Sequence, residues 1–317
     1  MKFVAKNNVD SNAATVFIEK HRLFFHSAAW VNCYDENLRQ LFILNNNNEI
    51  TGCFLLYVYK KAFLKFVISP PYTPGIALYI VNPAQSLVNK QTYTKEVMTG
   101  IAGYIDALNA QVVDVQLSDD YTDVQPFLWE KFKVSPRFTY LIQLTQSEEA
   151  LWNALSSEKR KSIGKADKDG LKIETVEAAQ TAIPLIKSSL LKGGVLANES
   201  LLVRLLGVLI SHPQAIAKQA MWNGKVVAVT LAVLDQNRCI YLFGGYDTTS
   251  SHHGAGVSCM WQTILEAKRN QLIVFDFEGS MNPGIERYYR EFGGLMVSSH
   301  QIRKIKPWLT AFKRFRL

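Results

Sequence analysis

The chain repeats itself, and that restricts it to folds that can be built twice. Gln125–Phe138 (QPFLWEKFKVSPRF) lines up with Ile285–Ser298 (IERYYREFGGLMVS), placing Phe132 on Phe292, 160 positions on. At the same offset Val112–Leu117 falls on Leu272–Phe277, and both read as apolar-rich strands. Val97–Asn109 falls on Val257–Arg269. Val97, Ile101, Tyr104, Ile105 and Leu108 form one helical stripe; Val257, Trp261, Ile264 and Leu265 form the other. Helix, strand, helix and final strand therefore carry over without a gap. The front halves correspond at a different offset. Asn45–Asn48 and Asn223-Gly224 are hairpin turn signals, followed by β-rich runs at Ile50–Tyr59 and Lys225–Leu234. Second strands follow at Phe63–Ile68 and Cys239–Phe243. Ile50 and Val226 lie 176 positions apart, so the first copy carries 16 extra residues before its helix. That longer loop opens Ser69-Pro70-Pro71-Tyr72-Thr73-Pro74-Gly75.

Each copy reads as a helix, antiparallel strands, then strand–helix–strand–helix–strand. That order predicts an α/β fold with mixed sheets and helices on both faces. The expected domains are 1–145 and 146–317, since Ser147-Glu148-Glu149 reads as a helix start and a helix over 150–168 would end at Gly170. A length of 317 residues supplies two cores. No apolar run reaches the roughly 20 residues of a membrane span. The N-terminal MKFVAKN has no apolar core followed by a cleavage site, so no secretory signal is expected. Cys33, Cys53, Cys239 and Cys259 form no CxxC pair and sit in apolar contexts. Reduced, buried thiols in the cytoplasm are expected, with no metal site. The net charge of +8 suits a nucleotide phosphate, RNA or an anionic membrane surface, or serves solubility alone.

The phosphate-binding candidate is His252-His253-Gly254-Ala255-Gly256-Val257, with Gly245 and Tyr246 beside it, after a strand over Ile240–Gly245. It opens a helix, whose first turn offers unpaired N–H groups and the positive end of a dipole. A tight turn that needs glycine for backbone reasons alone is the competing reading. The first copy has Thr94-Lys95-Glu96 at the equivalent place, so donor binding is expected in the second copy only. The second candidate is Phe275-Asp276-Phe277-Glu278, followed by a Gly-Ser turn. On a strand Asp276 and Glu278 would share one face, available as general base or amine-orienting group, or tied up in structural ion pairs. The next helix adds Tyr288 or Tyr289 as a proton donor and Arg287 or Arg290 as an anion holder, or is a capping helix with one tyrosine packed inward. Without a GxSxG or an evident nucleophile–histidine pair, a covalent acyl-enzyme is disfavoured. Direct attack of an amine on a bound thioester or ester needs only positioning, a carbonyl-polarising donor and a proton sink.

These residues resemble the Fem-type peptidyltransferases and their relatives in the GNAT superfamily. Trp152-Asn153-Ala154-Leu155 through Arg160, Ile163, Lys165-Ala166 and Gly170-Leu171 looks like the family's opening. His253–Gly256 into Trp261 looks like its donor turn and helix. Asp276–Ser280, then Gly284-Ile285 to Phe292-Gly293-Gly294, looks like its closing signature. Phe25–Trp30 matches more faintly. The resemblance implies two tandem GNAT-like domains, and acyl or aminoacyl transfer from an acyl-CoA or aminoacyl-tRNA co-substrate to a small-molecule or peptide amine. It implies no tightly bound cofactor. Cell-envelope metabolism, at the cytoplasmic face of the membrane, is the setting of the best-known members. Three departures stand out: Ser251 where the GNAT turn usually begins with Gln or Arg, Tyr289 where many Fem-type chains have lysine, and no helical arm for tRNA. An inactive binding module is the alternative. So is a peripheral RNA- or membrane-associated protein, since Lys159–Lys172 and the tail 303–317 are strongly basic. For the tail, an aromatic face docked on the body (Trp308, Leu309, Phe312, Phe315) is the competing reading.

Overall fold

The structure, a computed structural model, describes residues 1–249 and 252–310. The chain runs through β1 (Lys2–Ala5), α1 (Ser11–Lys20), α2 (Ala28–Val31), β2 (Leu38–Leu44), β3 (Ile50–Lys61), β4 (Leu64–Ile68), β5 (Tyr79–Ile80), α3 (Leu87–Ala107), β6 (Val112–Leu117), α4 (Gln125–Trp129) and β7 (Lys133–Gln143). It continues through α5 (Glu148–Ala154), α6 (Ser157–Asp169), β8 (Lys172–Thr175), α7 (Ala179–Lys192), α8 (Glu199–Ser211), β9 (Ala215–Trp222), β10 (Lys225–Asp235), β11 (Arg238–Tyr246), α9 (Ala255–Arg269), β12 (Val274–Asp276), α10 (Pro283–Arg290), β13 (Leu295–Ile305) and α11 (Pro307–Thr310).

Two compact units result. Unit 1 is Met1–Arg137 with the chain from Ser298 onward; unit 2 is Phe138–Val297. In unit 1 the strand order is β1-β2-β3-β4-β6-β13, with β5 beside β3, and β4–β6 is the parallel pair. In unit 2 it is β8-β9-β10-β11-β12-β7, and β11–β12 is the parallel pair. The same order of strands and crossover helix thus appears twice. The apolar stripe of α3 (Val97, Ile101, Ile105) fills the core of unit 1, and that of α9 (Trp261, Ile264, Leu265) fills the core of unit 2. Burying each such side chain contributes roughly 1.5–3 kcal/mol, which holds these helices in place.

The division differs from the one expected at residue 145. By sequence order β7 ends the first repeat and β13 ends the second. By pairing they trade places: β6 takes β13 as its antiparallel neighbour, His300 opposite Leu117 through Ile305 opposite Val112. In turn β12 takes β7, Val274 opposite Gln143 through Asp276 opposite Leu141. Each open strand edge needs a partner, and order along the chain does not dictate which one arrives.

The helix expected over 150–168 is two helices. Leu155 leaves the helical region with φ −60° and ψ 145°. The Ser156 amide donates to the Glu291 carbonyl, and its side chain caps α6 by accepting from the Lys159 amide. Gly170, at φ 81°, ends α6 where expected. The four cysteines are buried thiols that form no disulfide with one another. No helix among the described residues is long and apolar enough to cross a membrane.

Candidate functional site

The site in unit 2 begins with two parallel strands that part. β11 pairs with β12 only over Arg238–Ile240 and Val274–Asp276, and then runs on to Tyr246 without it. Ligand crevices form where strands diverge at their carboxyl ends. A cavity of about 780 Å³ lies there. Its walls are Tyr241 and Gly244–Tyr246 of β11, His252, His253, Gly256 and Val257 around the start of α9, and Asn282, Gly284, Ile285, Tyr288 and Tyr289 of α10 with its cap. Ser189, Lys192 and Gly193 close it from the end of α7, and Lys159 from α6.

The α9 turn is shaped by packing on one side and left open on the other. A Cβ on Gly254 would collide with the Ser162 carbonyl, so glycine lets α9 lie against α6. Ala255 is fully buried against Ala166 and Cys259. Gly256 faces open space, with no atom within 4 Å of the place a Cβ would occupy. The Gly256 and Val257 amides have no acceptor among the described residues, as expected of a helix's first turn. His252 braces the turn: its Nδ1 accepts from the Gly254 amide at 3.0 Å, which leaves Nε2 to donate to Asp169 at 2.7 Å. Gly245 fulfils a packing need as well, because a Cβ there would strike the Leu185 carbonyl of α7. Of the donor residues expected from sequence, Gly245, Tyr246, His253, Gly256 and Val257 line the cavity, while Gly254 and Ala255 support it from behind. Ser251 lies outside the described residues.

The expected catalytic group does not assemble. β12 stops at Asp276, and Glu278 takes φ 57°, so the two carboxylates do not share a strand face. Asp276 is 7% exposed and ties the core together. It accepts from Arg238 at 2.8 Å, from the Thr139 hydroxyl at 2.8 Å and from the Glu278 amide at 2.8 Å. Burial pushes its carboxyl upward, against the pull of Arg238 and these donors. Neither Asp276 nor Glu278 lines the cavity. Arg287 is exposed, paired with Glu291 at 2.9 Å and lying 3.8 Å from Glu158. Tyr288 alone of that group lines the cavity, and its hydroxyl donates to the Gly256 carbonyl at 3.2 Å. Burial holds the Tyr241, Tyr288 and Tyr289 hydroxyls far above the usual tyrosine value, so all three stay protonated.

Lys159 was missed as a site residue, because the sequence offers it only as part of a basic segment for RNA or membrane contact. The lysine is 5% exposed, with Nζ 3.6 Å from the centre of the Tyr288 ring and 3.5 Å from Glu291 Oε2. Burial, opposed by Glu291, lowers its pKa to about 8. The signal was present: Leu155, Lys159, Ile163 and Ala166 follow one helical stripe, and the other three are apolar. The tail's described cations are also committed at home. Arg303 pairs with Asp114 at 3.0 Å and Lys304 with Asp106, while Trp308 stacks on Phe63 and Leu309 is buried. Residues 311–317, which complete the basic tail, lie outside the described residues.

In unit 1 the equivalent parting is filled. β4 pairs with β6 only through Ile68 opposite Asp114. The longer loop then enters the gap. The Ser69 amide donates to Asp114, the Ile76 amide to the Gln116 carbonyl, and the Leu55 amide of β3 to the Ile76 carbonyl. Ile76 and Leu78 join the core of that unit.

Strand order, the parting of β11 from β12 and the helix that opens at its mouth define a GNAT acyltransferase fold, present as two tandem domains. Residues 214–290 match the model of the acetyltransferase (GNAT) domain family. Among solved structures the chain is similar to FemX, with TM-score 0.69, 12% identity and 98% of this chain aligned to 99% of that one. It is similar to L-PGS from Bacillus licheniformis, with TM-score 0.55, 10% identity and coverage of 95% and 94%. It is also similar to a tandem GNAT protein from the clavulanic acid biosynthesis pathway, with TM-score 0.54, 8% identity and coverage of 95% and 97%. No curated protein matches the sequence.

Proposed function

We propose that unit 2 is an N-acyltransferase that carries out direct transfer from a bound donor to an amine. One observation carries this reading: a cavity between parted strands, lined by the open first turn of α9. The Gly256 and Val257 amides and the helix dipole suit the phosphates of an acyl-CoA. The acyl group would then lie along β11, toward Tyr241 and Tyr288. The acceptor amine attacks the acyl carbon, a C–N bond forms, and the C–S bond of the thioester breaks. Tyr288, held protonated by burial, stands ready to donate to the leaving group. The match of residues 214–290 to a GNAT acetyltransferase domain favours acyl-CoA as donor, and the likeness to FemX keeps aminoacyl-tRNA as the alternative. The acceptor we infer is a small-molecule or peptide amine of the cell envelope. The buried thiols suit the reducing cytoplasm as the place of reaction.

The test is calorimetry of the whole chain with acetyl-CoA, longer acyl-CoAs and aminoacylated tRNA. Binding of an acyl-CoA that Gly256→Trp abolishes is the expected result. Binding of aminoacylated tRNA alone would transfer the donor assignment to tRNA. Tight binding of one ligand with no transfer to any amine would make this a binding module.

A further inference from the structure

An amine acceptor is protonated at neutral pH and must lose a proton before its nitrogen can attack a carbonyl. Among the described residues no aspartate or glutamate lines the cavity. Tyr241, Tyr288 and Tyr289 hold their protons too tightly to act as bases. His252 has both ring nitrogens engaged, one with the Gly254 amide and one with Asp169. Of the remaining basic side chains, His253 and Lys192 are exposed and Lys159 is buried in the wall. Resting on the transfer reaction above, we infer that Lys159 takes the proton from the acceptor's ammonium as the acyl group moves.

The surroundings of Lys159 fit both states it must visit. Its Nζ lies over the Tyr288 ring at 3.6 Å and the Phe292 ring at 4.8 Å, and the side chain is buried. The charged groups that face it are Glu291 and Glu158, which favour the ammonium, and Arg287, which opposes it. Desolvation outweighs them and holds the group near a pKa of about 8, so a useful fraction is neutral at physiological pH. Once protonated, the two ring faces and Glu291 stabilise the cation. Tyr288 spans the distance to the donor turn, with its ring under Lys159 and its hydroxyl on the Gly256 carbonyl. In the step, neutral Nζ accepts the ammonium proton and the freed amine bonds to the acyl carbon. The C–S bond breaks with its electron pair on sulfur; Tyr288 donates its proton to that thiolate and is reprotonated by the second proton leaving the new amide nitrogen, while the Lys159 ammonium releases the first to solvent.

The experiment uses the full chain with acetyl-CoA and a panel of primary amines, following thiol release from pH 6 to 10. Wild type, Lys159→Met and Lys159→Arg are compared, with acetyl-CoA binding by calorimetry and thermal unfolding recorded for each. Expected are folded variants that bind acetyl-CoA within about twofold of wild type. Both lose about a hundredfold in kcat/KM, the lower range for a general base, and the limb of the pH profile near 8. Full rate in Lys159→Arg would reduce the lysine to a fixed charge and overturn the inference, as would an unchanged limb in Lys159→Met. Failure of wild type to bind acetyl-CoA would instead overturn the donor assignment, and the inference would fall with it.

Discussion

Lys159 and Asp276 show how differently two buried charges can be placed. Asp276 has three donors and no access to the cavity, so it acts as a tie between β7, β11 and β12. Replacing it with alanine takes away the buried carboxylate that pairs with Arg238 and should cost about 3–5 kcal/mol in urea unfolding, the range for breaking a buried pair. A smaller loss would mean that the pair is relaxed by water. Lys159 lacks comparable compensation. Its folded-state pKa of about 8 lies below the ordinary lysine value, so charging it costs stability at every pH below 8. Between about 8 and 10.5 the unfolded chain binds the extra proton and stability rises with pH. Lys159→Met should therefore raise the urea midpoint at pH 7, with a gain that fades toward pH 10.5. An equal gain at both pH values would contradict the shifted pKa. The sequence does not reveal this distinction, because both residues are polar points in apolar patterns. Only the partners brought by other elements separate a tie from a strained base.

At the scale of elements, the α9 turn was legible as a strand followed by Gly-x-Gly at a helix start. What the sequence leaves undetermined is which glycine serves packing and which serves the cavity. Gly254 is pressed against the Ser162 carbonyl of α6, and Gly256 faces open space. Gly254→Ala should lower the melting temperature by separating α6 from α9, visible in thermal unfolding. Gly256→Ala should stabilise α9 by up to about 1 kcal/mol while weakening donor binding, since alanine favours helix interiors. The opposite pattern would exchange the two roles. The closing strand was read too long. Phe277 and Glu278 continue an alternating pattern, but the Asp276 carboxylate accepts from the Glu278 amide and turns the chain, leaving Glu278 at φ 57°. A side-chain-to-backbone bond of this kind competes with the strand ladder and leaves no periodicity to read.

For the whole molecule, the repeat was legible because one offset aligned four elements, and the extra residues of the first copy were countable. Their destination was not. The loop from Ser69 to Leu78 occupies in unit 1 the parting that stays open in unit 2. The exchange of β7 and β13 was equally hidden, since both are good strands in either sheet. It makes the chain's end part of the first unit's core, with Ile302 fully buried there. Removing residues from 298 onward should raise hydrogen exchange in β6 and α3, which lose their neighbour, while α9 and β11 keep their protection. Exposure confined to unit 2 would show that β13 pairs within unit 2 instead.

The donor is expected to occupy unit 2 at the open turn of α9 and to leave unit 1 empty. Hydrogen–deuterium exchange of the full chain, with and without saturating acyl-CoA, tests it most directly. Slowed exchange is expected at 241–246 and 252–258, with no change at 66–78 or 112–118. Protection in those unit 1 segments, with the α9 turn unaffected, would contradict it.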